Sequence, residues 1–145
     1  MITIESTESI ARLAADVFAF VSDVRNDPRW HTDVLEAKLT GGASVGKGST
    51  FEIKMKPFMG TSEGTVRVAE YESPRRAVLK GRMGKMEPTT ILTVAPDGAG
   101  SRVTRRIEME PRGLLRLMAP FMGGAARKRN AGFLANLKRV LETNR

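Results

Sequence analysis

The chain has 145 residues, 41% hydrophobic and 28% charged, which is one domain's worth of globular sequence and not the composition of a disordered one. It has no cysteine and a single histidine, His31, which excludes disulfides, thiolate metal sites, cysteine nucleophiles and multi-histidine metal centres. The formal net charge is +8, and most of it belongs to the segment after Gly113, where Arg116, Arg127, Lys128, Arg129, Lys138, Arg139 and Arg145 stand against Glu142 alone.

No stretch approaches the roughly 20 apolar residues that span a bilayer. The opening MITIESTESI lacks the basic start of a signal peptide, so a cytoplasmic protein is expected. With no repeat, low-complexity tract or linker, residues 1–145 read as a single domain. Residues 2–10, with β-branched Ile2, Thr3 and Ile4, predict an opening strand. A short helix follows over about 15–24, where Val17, Phe20, Val21 and Val24 form one apolar stripe. Asn26 to Pro28 should break it, because proline disfavours helical geometry at the preceding residue.

From Val34 to Pro111, glycine and proline punctuation separates six runs of strand length, about 34–40, 49–57, 62–73, 76–83, 88–96 and 101–110. Phe51, Ile53 and Met55 alternate with Glu52, Lys54 and Lys56, and Val103, Ile107 and Met109 alternate with polar residues. Such alternation predicts antiparallel strands with one dry and one wet face. The last segment, about 113–142, is predicted helical. Leu114, Leu117, Met118 and Phe121 begin an apolar stripe that Phe133, Leu137, Val140 and Leu141 continue. Gly123-Gly124 should kink or break it, at about 1 kcal/mol per glycine relative to alanine.

Four segments carry a family resemblance: VFAFVSDVRNDPRWH at 17–31, GGASVGKGSTFEI at 41–53, YESPRRAVLKG at 71–81 and FLANLKRVLE at 133–142. In this order they resemble the SRPBCC/START-like (Bet v 1-like) superfamily, and within it the polyketide cyclase/dehydrase-type proteins. The resemblance implies an α+β helix-grip fold: a curved seven-stranded antiparallel sheet wrapped around a long C-terminal helix, with a short helix after the first strand and a deep cavity between sheet and helix. It also implies binding of a hydrophobic small molecule of lipid, polyketide or aromatic type. Some members catalyse cyclisation or dehydration, but the superfamily has no universal catalytic motif, so activity has to be argued from a site.

Under that resemblance the expected cavity wall includes Phe51, Ile53 and Met55 from one strand and Arg105, Ile107 and Met109 from another. Met118, Met122, Phe133 and Leu137 would face it from the helix, and Trp30, His31 and Glu70 complete the set. Flexible methionines suit an irregular apolar ligand, and Met59, Met83 and Met86 add to those named, although methionine fills ordinary cores equally well. His31 is a candidate acid or base with Asp33 as a possible orienter; the simpler reading packs Trp30 under the cavity rim and leaves His31 as a surface ring. Arg105 shares strand parity with Val103, Ile107 and Met109, and Glu70 with Val66 and Val68. A charge on a dry face needs a partner, so Glu70 is the candidate carboxylate for Arg105, unless a β-bulge turns Arg105 into solvent.

The glycines at 41–48 do not form a phosphate loop, since only three residues lie between Gly42 and Gly46 and a strand follows. No metal-ligand spacing is present, and no cofactor or metal is expected. The basic closing helix raises nucleic acid or an anionic membrane as alternative partners. An aromatic content of 6% leaves few platforms for stacking bases, and the helix must bury its apolar face in the fold. A homodimer and an accessory protein without a small ligand stay open as further alternatives.

Overall fold

The computed structural model of the chain describes residues 1–58, 60–111 and 113–143, without the side chains of Leu114, Leu115, Ala119 and Met122 in the closing helix. Met59 and the side chains of Leu114 and Met122, named above, thus lie outside the described residues. The order of elements is β1 (Ile2–Ile10), α1 (Ala14–Val21), a 3-10 helix (Val24–Arg29), β2 (Val34–Gly41), β3 (Thr50–Phe58), β4 (Thr61–Glu72), β5 (Arg76–Arg82), β6 (Thr89–Asp97), β7 (Gly100–Met109) and α2 (Leu114–Thr143). The seven strands form one antiparallel sheet in the order β1-β7-β6-β5-β4-β3-β2.

Strand parity assigns the faces. Val103, Arg105, Ile107 and Met109 of β7 lie opposite Glu8, Ser6, Ile4 and Ile2 of β1, and on its other side β7 places Val103, Arg105 and Ile107 beside Val94, Leu92 and Thr90 of β6. The β6–β7 register runs unbroken from Thr89↔Glu108 to Asp97↔Gly100, so no bulge turns Arg105 outward. On β4 a register shift falls between Val68 and Glu70, and this one residue reverses the parity beyond it. Tyr71 consequently turns inward and packs on Phe18, with ring centroids 5.3 Å apart.

The core joins the inner sheet face to α1, the 3-10 helix and the second half of α2. Asn130, Phe133, Leu134, Leu137 and Leu141 form the buried stripe of α2 at helical spacing. The helix end is tied down: Lys138 Nζ donates to the Ser9 carbonyl at 2.7 Å, and the Ala11 amide donates to the Glu142 carboxylate at 2.9 Å.

Two expectations are corrected. α2 runs unbroken through Pro120 and Gly123-Gly124, because its buried second half anchors a helix that the local glycine cost alone does not break. Asn26 to Pro28 do not end helical structure; they form the 3-10 helix, with Asp23 accepting from the Arg25 amide at its start.

Candidate functional site

Burial along the inner face is graded. In the central strands it is complete toward one end of the sheet and partial toward the other. Phe51 and Ile53 are buried and Met55 is half-buried; Ala77 and Leu79 are buried and Gly81 is half-buried; Leu92 is buried and Thr90 is half-buried. On β7, Val103 is fully buried, Arg105 is 8% exposed, and Ile107 and Met109 are half-buried. The half-buried end is floored by small and flexible residues. Met83 lies over Gly64, where a Cβ would come within 2.6 Å of its Cγ and 2.8 Å of the Arg82 carbonyl oxygen.

Arg105 stands where the closed core meets this open end. Its Nη1 donates to Asn130 Oδ1 at 2.6 Å, and Asn130 Nδ2 donates back to the Arg105 carbonyl at 3.1 Å. The guanidinium lies 5.6 Å from the Trp30 ring centroid and 6.0 Å from that of Phe133, within range of both π faces. His31 stacks on Phe133 at 4.1 Å, edge-on to Trp30 at 5.9 Å. The 3-10 helix positions these rings, since the Asp27 carbonyl accepts from both the Trp30 and His31 amides at 3.0 and 2.7 Å. Asn136 Nδ2 clamps the same turn to α2 through the Trp30 carbonyl.

Polar demand here is only partly met. Trp30 Nε1 and His31 Nδ1 are buried without a hydrogen-bond partner. Burial, with the cation at Arg105 adding to it, pushes His31 down to about 3, so its ring is neutral at physiological pH. Burial also pushes the Asp27 carboxyl up to about 8, opposed by the attraction of Arg105, and lowers Arg105 to about 10, opposed by Asp27.

Several expected placements change. Glu70 is exposed and pairs with Arg76 at 2.9 Å, because the β4 bulge turns it outward; the partner of Arg105 is Asn130. Met118 is 45% exposed, and Leu117 and Phe121 are 76% and 86% exposed, so this stretch of the apolar stripe does not close the core. His31 is half-buried and stacked, not a surface ring. Asp33 does not orient it; its carboxylate accepts from Arg129, whose guanidinium lies 5.6 Å from the Phe133 ring. Trp30, Phe51, Ile53, Phe133 and Leu137 are buried in one core cluster, with Met55 packed against it.

Sequence reasoning misses Asp27 and Asn130. Asn130 carries a signal, since it falls three residues before Phe133 on the apolar stripe of α2, where a polar residue needs a reason. Asp27 lies inside the DVRNDPRWH segment, but its environment exists only in the fold.

The outer face is different in kind. A groove of about 420 Å³ there is lined by Glu36, Lys38, Glu52, Lys54, Glu63 and Arg82 among others, a charged and partly cross-paired surface. Among the described residues no group of three or more candidate ligands is placed to hold a metal ion, and no helix is long and apolar enough to cross a membrane.

The family described as polyketide cyclase / dehydrase and lipid transport matches residues 1–142. No curated protein is similar in sequence. Among solved structures, the protein TTHA0849 from Thermus thermophilus superposes with a TM-score of 0.76 at 15% identity, covering 99% of both chains. Ara h 8.0201 gives 0.69 at 16% identity, over 96% of this chain and 97% of its own. DynU16, a protein of the dynemicin biosynthetic locus, gives 0.70 at 15% identity; it covers this whole chain, which spans only 49% of DynU16. At these identities the likeness is one of fold.

Proposed function

Because the chain belongs to the polyketide cyclase / dehydrase and lipid transport family and has the Bet v 1-like helix-grip fold, we propose that it binds a hydrophobic small molecule against the open end of the inner sheet face. One observation carries the reading: an apolar surface left half-buried ends on a buried polar cluster, Arg105 with Asn130, beside the unpartnered Trp30 Nε1 and His31 Nδ1. A pocket of this kind holds a ligand mainly by apolar contact and orients it with a few polar groups. Met55, Met83, Ile107 and Met109 supply the apolar contact, and the Arg105 cluster takes an oxygen of the ligand.

Cyclase- or dehydratase-like turnover is a second reading, favoured by the Asp27 carboxyl, which keeps its proton near neutral pH beside a guanidinium. The basic-helix alternative has less behind it, since Arg129, Lys138 and Arg139 are engaged within the chain by Asp33, Glu142 and Asn136. Native mass spectrometry of the purified protein tests the ranking. A retained apolar molecule is the expected result, and progressive loss of one water from it would signal turnover. A bare protein that binds DNA in a salt-sensitive manner would replace the ligand reading with the basic-helix one.

A further inference from the structure

We propose, resting on the ligand reading above, that the bound molecule is an acid: an apolar chain or ring system ending in a carboxylate, with Arg105 as its counter-ion. Several arginines nearer the surface of this protein have carboxylate partners: Arg25 pairs with Asp23, Arg76 with Glu70, Arg106 with Glu5 and Glu108, and Arg129 with Asp33. Arg105, the buried one, has none within ion-pair distance among the described residues, and its hydrogen-bond acceptor is the neutral amide of Asn130. A buried cation costs several kcal/mol unless an anion and acceptors compensate it. The rings of Trp30 and Phe133 return part of that cost through their π faces, and Asn130 Oδ1 accepts one guanidinium N–H, but neither supplies a negative charge.

An incoming carboxylate fits what is left over. Its two oxygens match the guanidinium fork, and the indole N–H of Trp30 is a buried donor without an acceptor. The surrounding charges favour an anion. Asp23 and Asp27 lie on the 3-10 helix and its cap, His31 and Asp33 follow it, and Arg129 and Asn130 approach from α2. Of these, Asp33 is committed to Arg129 and His31 is neutral. Asp27 keeps its proton at neutral pH and does not repel an anion there. The row from Arg105 through Ile107 to Met109 leads from the head-group site to the half-buried apolar surface, so head and tail have contiguous places.

Trp30 is the chain's one tryptophan and lies against Arg105, so its fluorescence reports arrival of a ligand. The probes are octanoate, dodecanoate and hexadecanoate, each against the alcohol of the same length, near neutral pH. At the best chain length the acid should bind about 10- to 100-fold more tightly than the alcohol, as expected for a charged hydrogen bond. Arg105→Met should abolish the preference while alcohol binding persists, which also shows that the variant is folded; Arg105→Lys, which keeps the charge, should retain part of it. Acid affinity should fall as pH rises through about 8, where Asp27 ionises beside the site, and Asp27→Asn should remove that fall. Equal or tighter binding of the alcohols would overturn the acid proposal and leave the apolar-ligand reading standing. Failure of both series at every length would overturn both.

Discussion

At the scale of single residues, the cluster around Arg105 sets two opposed pH dependences. The Asp27 carboxyl is raised in the fold to about 8 from an ordinary value near 4. Between those values the folded chain holds a proton that the unfolded chain has released, so this group makes stability fall as pH rises. His31 acts in reverse. Its ring is pushed down to about 3, so from there to about pH 6.5 the unfolded chain binds more protons and stability rises with pH. The two offset each other between about pH 4 and 6.5, and from there to about pH 8 Asp27 acts alone. Urea denaturation across this upper window should show stability declining by at most about 1.4 kcal/mol per pH unit. Asp27→Asn should flatten the decline; an unchanged slope would assign it to another group.

At the scale of elements, α2 divides into an anchored half and a presented half. Phe133 is buried, stacks on His31 and lies beneath both Arg105 and Arg129. Phe133→Ala should therefore cost about 3–5 kcal/mol. Phe121, part of the same apolar sequence pattern, is 86% exposed, and Phe121→Ala should change stability by no more than about 0.5 kcal/mol. Chemical denaturation of the two variants measures the difference directly. Comparable losses would mean that the first half of α2 closes onto the sheet in solution.

At the scale of the molecule, the grading of burial predicts where a ligand acts. The closed end, built on Val17, Phe18, Phe51, Val68 and Val103, is a complete core without one. The open end, with Gly64, Gly81, Met83 and Thr90 half-buried, lacks a covering layer of comparable depth. Backbone amides at Gly64 and Gly81 should exchange faster than those at Val68 and Val103, and a bound apolar ligand should slow the first pair selectively. At a ligand concentration about 100 times Kd, the protein should also gain about 2.7 kcal/mol of stability, seen as a rise in Tm. Uniform protection along the strands would place the ligand elsewhere.

Sequence alone was sufficient for the order of the strands, the antiparallel sheet and the closing helix, while it left open which face Arg105 takes and showed no sign of the 3-10 helix. What it did show follows from local rules, period two in strands and period 3.6 in the helix, whereas the inward face of Arg105 was settled by the β6–β7 register, which runs unbroken from Val103 to Ile107. The remaining features depended on contacts between distant segments. One extra residue in β4 reversed Glu70 and Tyr71, and nothing in the spelling of VRVAEYE marks where the ladder slips. Which side of α2 meets the sheet was settled by how the helix lies across β1, so Phe133 is buried while Met118 and Phe121, spelled just as apolar, face outward. The partnership of Arg105 with Asn130, 25 residues away, and the retained proton on Asp27 arise only when the 3-10 helix, β7 and α2 exclude water from the same place. Desolvation is a property of that assembled enclosure, and no single segment carries it.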